Sequence, residues 1–152
     1  MKKEVWEGKR LCVESDSIHP MLAGDFEDLP HSPVYEVMYP GYVLGNGKQV
    51  KRAMELGFKL AVDISHVFIQ LQEGAMTQAT WQQLSEYDKI VEIHVSQNNG
   101  KQDTHRPLTE QTWGLEWARA RERAGTLLVV EGYMHRLSVC DRKRQIDIAR
   151  GK

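Results

Sequence analysis

Between residues 32 and 133 the chain alternates short apolar runs with stretches whose apolar residues recur every three or four positions. The runs "SPVYEV" (32–37), "FKLAVDI" (58–64), "KIVEIHVS" (89–96) and "TLLVVEGY" (126–133) read as strands. Helical spacing follows each of them. "KQVKRAMELG" carries Val50, Met54 and Leu56 and stops at Gly57, while "QATWQQLSEYD" carries Trp81, Leu84 and Tyr87 behind a Thr77 cap. "EQTWGLEWARARERAG" places Trp113, Trp117 and Ala120 on one stripe before Gly125, and "DRKRQIDIARG" is expected to turn Ile146 and Ala149 toward the sheet. "SHVFIQLQEGAMT" (65–77) reads as a loop, "KRLCVES" (9–15) as a fifth strand, and the rest of residues 1–31 as irregular chain.

Strands separated by helices return in the same direction, so the class is α/β with four or five parallel strands, each followed by a helix, in a single domain spanning 1–152. Glu36, Asp63, His94 and Glu131 then fall at or near the C-terminal ends of the four strands. That end of a parallel sheet is where side chains converge and ligands bind. Taken singly, each residue reads as a helix cap or an ion-pair partner. Together, three carboxylates and an imidazole form an oxygen-and-nitrogen donor set suited to a divalent cation such as Mn, Zn or Fe(II). Without a cation, the carboxylates repel and at least one pKa must rise. Asp63-Ile-Ser-His66 and Asp103-Thr-His105 add His66, Asp103 and His105, which could serve a second metal or the substrate, or simply order a hydrogen-bonded turn.

Composition narrows the alternatives. Lys+Arg 20 against Asp+Glu 21 gives a net charge of −1, with no basic excess to attract nucleic acid. Arg119, Arg121, Arg123, Arg142, Lys143 and Arg144 lie on predicted helices and read as a solvated face. No apolar stretch approaches a membrane span, and "MKKEVWEGKRLC" lacks a signal-peptide core, so a cytoplasmic protein is expected. Cys12 and Cys140 have no metal or redox spacing and are expected to be buried, reduced and inert. "GYVLGNGK" lacks phosphate-loop spacing, His135 reads as a surface histidine, and the tryptophans suit helix-to-sheet packing better than base stacking.

The order Glu, Asp-x-x-His, His, Asp-x-His, Glu, carried chiefly by "DISHVFI" and "VEIHVSQNNGKQDTHRPL", resembles the C-terminal half of the xylose-isomerase-like TIM-barrel superfamily. That superfamily includes sugar isomerases and epimerases, type IV apurinic endonucleases and multinuclear non-haem iron oxygenases. The resemblance covers roughly two-thirds of the chain and implies a (βα)4 half-barrel over 32–152. It also implies that Glu36, Asp63, His94 and Glu131 hold one divalent ion, with Glu36 and Glu131 moving protons on either face of a sugar-like small molecule. His66, Asp103 and His105 map to a second metal of the endonuclease-like arrangement. His19 and His31 match no strand-end histidine of the family. A closed barrel takes about 250 residues, so a half-barrel needs its edges covered. A homodimer is the expected solution, and a partner carrying the first half is another. Two further readings stand beside the isomerase: an iron oxygenase, from the "EIH…DTH…W" run, and a non-catalytic remnant that binds metal or protein.

Overall fold

The structure, a computed structural model, describes residues 34–152 together with the two-residue strand Cys12–Val13. The expected irregular segment, with His19 and His31, otherwise lies outside the described residues. Five parallel strands form one sheet in the order β1 (Cys12–Val13), β2 (Val34–Val37), β3 (Lys59–Asp63), β4 (Ile90–Val95) and β5 (Leu127–Val130). The helices are α1 (Gly47–Glu55), α2 (Ile64–Gln72), α3 (Gln78–Ser85), α4 (Leu115–Arg123) and α5 (Val139–Arg150). None is long and apolar enough to cross a membrane.

A strand order that never reverses has a consequence for layering, because right-handed crossovers taken always in one direction put their helices on one face. Tyr35, Val37, Leu60, Val62, Ile93 and Val95 form that face, and they share a single core with Val50 and Ala53 of α1, Val67 of α2, Leu84 of α3, Ala118 of α4 and Ala149 of α5. Successive side chains of a strand point to opposite sides. The residues between those core positions, Glu36, Ala61, Asp63, Glu92 and His94, therefore share the opposite face, and all five are buried. The parallel α/β class is thus present.

Local signals explain most boundaries. Asn46 caps α1 through its side chain to the Gln49 amide, Thr77 caps α3 through the Thr80 amide, and Ser138 caps α5 through the Asp141 amide. Gly57 ends the first helical stretch with φ 78°, a left-handed conformation that suits glycine.

Several expectations are corrected. Residues 64–72 are a helix, not a loop: Asp63 accepts a hydrogen bond from the Ser65 amide as its cap. Ile64, Val67 and Ile69 are buried and so are the polar Ser65, His66 and Gln70, so the helix has almost no solvent face for its polar residues to mark. Trp113 lies outside α4, because Gly114 adopts φ 75° immediately before Leu115. The buried stripe shifts to Leu115, Ala118 and Arg119, leaving Ala120 exposed. Trp113 instead stacks on Phe68 at 5.5 Å and meets Trp81 at 5.2 Å. Because α5 begins at Val139, Gln145 and Ala149 face inward and Ile146 remains 37% exposed. Arg119 is not solvated: at 6% exposure it is held by Glu110 at 2.8 Å, by Glu116 and by the carbonyl of Ile148. Cys140 is exposed rather than buried. His135 is exposed, as expected, in a 3₁₀ turn at Met134–Arg136.

Phe58 is fully buried against Tyr35, with ring centres 5.4 Å apart, where α1 hands over to β3. Phe58→Ala is expected to lower unfolding free energy by roughly 3–5 kcal/mol, measured by urea denaturation. A loss below about 1 kcal/mol would contradict this placement of the core.

Candidate metal centre

The register of the sheet assembles the centre. Asp63 pairs with His94 across β3 and β4, while Glu36 pairs with Ala61 one row lower. Glu131 follows β5 directly, and its amide continues the ladder by donating to the Val95 carbonyl at 3.0 Å. Glu36, Asp63, His94 and Glu131 each bring one donor atom into a group whose members all lie within 4.8 Å of one another. The structure therefore brings together all four residues expected to bind metal.

Asp63 and His94 are held from behind. The Oδ1 atom of Asp63 accepts hydrogen bonds from the amide and hydroxyl of Ser65 at 2.7 and 2.8 Å, and the Ser65 hydroxyl lies 2.9 Å from that of buried Ser96. The Oδ2 atom is buried and has no hydrogen-bond partner among the described residues. Burying a carboxylate oxygen without a hydrogen bond is costly, which makes Oδ2 an acceptor suited to a cation. The Nδ1 atom of His94 lies 3.2 Å from Glu36 Oε1 and 3.4 Å from Glu131 Oε1. Its other ring nitrogen, Nε2, donates to Glu92 Oε1 at 2.6 Å. Sequence reasoning missed Glu92, whose signal was available: in Glu92-Ile-His94 the two polar residues sit two apart on one strand and thus on one face.

A second group adjoins the first. His66, in the first turn of α2, donates from Nδ1 to the Val37 carbonyl at 3.1 Å, directing Nε2 toward Asp103 Oδ2 at 3.2 Å and Asp63 Oδ2 at 3.7 Å. The same Asp103 oxygen lies 2.8 Å from His105 Nε2, and Asp103 Oδ1 is buried without a hydrogen-bond partner among the described residues. The loop bearing these residues is closed by two backbone hydrogen bonds of 2.9 Å between Gln97 and Arg106, and Asn98 ties it to the Ser65 carbonyl at 2.9 Å. His105 adopts φ 44°, a left-handed conformation uncommon for histidine and a local strain of the kind found at functional sites. His105 Nδ1 comes within 3.9 Å of Glu131 Oε2, joining the two groups.

The electrostatics show what so many acidic groups demand. Burial by itself would lower the pKa of His94, but hydrogen bonds to Glu36 and Glu92 and the charge of Glu131 raise it well above the ordinary value. Burial opposes protonation of His66 too, yet Asp63, Asp103 and Glu36 raise it to about 10. His105 is raised by its hydrogen bond to Asp103, whose own carboxyl is lowered against its burial by His105 and His66. Burial raises Glu131, with Asp63 and Glu36 adding to the effect. In the metal-free protein, protons on imidazoles supply the positive charge that the carboxylates require.

No protein-family model, curated protein or solved structure matches the chain. The centre is accordingly interpreted from its own chemistry.

His66 gives a pH dependence with a definite sign. Its pKa is raised on folding, so its contribution to the stability of metal-free protein is complete below about 6.5 and is lost as pH climbs toward 10. Chelator-treated protein is expected to lose melting temperature between pH 7 and 10, and His66→Gln to flatten that loss. Parallel profiles for the two proteins would refute the assignment.

Proposed function

We propose that this protein is a half (β/α)8 barrel that binds a divalent metal ion through Glu36, Asp63, His94 and Glu131. In this reading it acts as a metal-dependent isomerase or epimerase on a sugar-like, polyhydroxylated small molecule. One observation carries the proposal: four donor atoms, one from each of four consecutive strand ends, converge within 4.8 Å of one another. Three carboxylates and one imidazole suit Mn, Fe(II) or Zn.

When bound, the ion supplies a Lewis acid that polarises a substrate carbonyl. Glu36 on β2 and Glu131 after β5 come from the strands on either side of those that carry Asp63 and His94, and both carboxyl groups reach the centre. One can take a proton from a carbon beside the carbonyl while the other returns one, as acid–base catalysis of isomerisation requires. The raised Glu131 suits the acid role. His66 and His105 stand ready to orient substrate hydroxyls. A second copy of the chain, or a partner carrying the missing half, would cover the sheet edge at β5, where Leu127 is 48% exposed.

The buried Asp103 Oδ1, with no hydrogen-bond partner among the described residues, favours a second reading. His66, Asp103 and His105 would then hold a further ion beside the first, as in a multinuclear iron oxygenase. Metal stoichiometry and oxygen consumption separate the two readings. A protein that binds metal but turns over neither class of substrate would be the non-catalytic remnant.

Elemental analysis of protein purified without added metal, with its mass in solution, provides the test. An ion present at about 100 times its Kd stabilises by about 2.7 kcal/mol, which should raise the melting temperature by roughly 5–10 °C. Glu36→Ala and His94→Ala should abolish the rise, and His135→Ala should preserve it. Affinity should increase with pH, because binding displaces the His94 proton. Protein that neither carries metal nor gains stability from Mn, Zn or Fe(II) would exclude both enzymatic readings. If metal binds, exchange of solvent deuterium into a panel of ketoses tests the isomerase.

A further inference from the structure

An imidazole offers two nitrogens of similar donor strength, and a metal can use only the one whose lone pair is free and suitably directed. The geometry points to Glu92 as the positioning residue that makes Nδ1 of His94 the metal-binding nitrogen, a role that rests on the metal reading above. Glu92 and His94 lie two residues apart on β4, so both project from the sheet face opposite the helices. Both are buried, Glu92 at 5% exposure. The Glu92 carboxylate accepts a hydrogen bond from Nε2–H at 2.6 Å, and the opposite ring nitrogen faces Glu36 and Glu131 at 3.2 and 3.4 Å. Glu92 is outside the group of four converging donors. It acts through the ring.

A carboxylate accepting the far N–H of a metal-bound histidine does three things at once. It fixes the tautomer, prevents the ring from rotating, and increases the electron density on the donating nitrogen. The same contact accounts for a charged residue buried in mid-strand: Ile93 turns into the core, whereas Glu92 and His94 meet on the other side. The neighbouring centre repeats the principle with a weaker acceptor, since the Val37 carbonyl takes Nδ1–H of His66 and leaves Nε2 to face Asp63 and Asp103. Nδ1 of His94 and Nε2 of His66 are thus the nitrogens turned toward the site carboxylates.

Nitrogen-15 NMR of zinc-loaded wild-type protein, with the His94 resonances assigned through His94→Gln, reads the tautomer directly. The expected spectrum has a protonated Nε2 and a zinc-shifted Nδ1. Glu92→Gln should weaken zinc and manganese binding by roughly 10–100-fold, with Glu92→Asp intermediate and the exposed Glu73→Gln unchanged. A purely structural ion pair would instead lower the melting temperature of metal-free Glu92→Gln without altering the metal Kd. Zinc on Nε2 in the wild type, or a wild-type Kd in Glu92→Gln, overturns the assignment while leaving the metal centre intact. Wild-type protein that takes up neither ion overturns the metal centre itself and the role of Glu92 with it. Should Glu92→Gln fail to fold, the wild-type spectrum decides.

Discussion

Carboxylates gathered on one buried face of a sheet are the constraint to which the rest of this molecule answers. Two like charges about 4 Å apart repel by roughly 4 kcal/mol under the effective screening of a protein. Glu36, Asp63 and Glu131 converge at that range, with Glu92 and Asp103 close behind. Such an arrangement survives only if positive charge is inserted between the acids. In metal-free protein it is supplied by His66, His94 and His105, all raised above their ordinary pKa. A divalent cation would meet the demand more compactly, and Asp63 Oδ2 and Asp103 Oδ1, which have no hydrogen-bond partner among the described residues, are the places where hydrogen bonds fall short.

The sheet makes this concentration of charge possible. Because the strands run in unbroken order, all the helices draw on one face, and that face alone supplies the shared apolar core. The other is released from core packing and can carry polar groups. Alternation along each strand then separates the two jobs at single-residue resolution: Val37, Val62, Ile93 and Val95 support the fold, while their neighbours Glu36, Asp63, His94 and Ser96 build the centre or brace it. Asp63 serves both, capping α2 with one oxygen and presenting the other to the centre.

Errors in reading the sequence cluster where burial overrides periodicity. The α2 helix escapes an amphipathic search because its polar Ser65, His66 and Gln70 are buried along with its apolar residues, and its cap, Asp63, doubles as a site residue. A glycine inside an otherwise helical pattern delayed the start of α4 to Leu115 and rotated its buried stripe. Arg119 reads as a surface charge because nothing local reveals that Glu110, Glu116 and a carbonyl of α5 close around it.

The strand–helix alternation, the parallel class and the placement of Glu36, Asp63, His94 and Glu131 at strand ends were all legible along the chain, because they follow from local periodicity and from the single direction that crossover helices impose. Which nitrogen of His94 faces Glu36 and Glu131, and which oxygen of Asp63 lacks a hydrogen bond among the described residues, were decided only by the tertiary structure. Those facts depend on register and on contacts between residues far apart in sequence. No pattern confined to one segment encodes them.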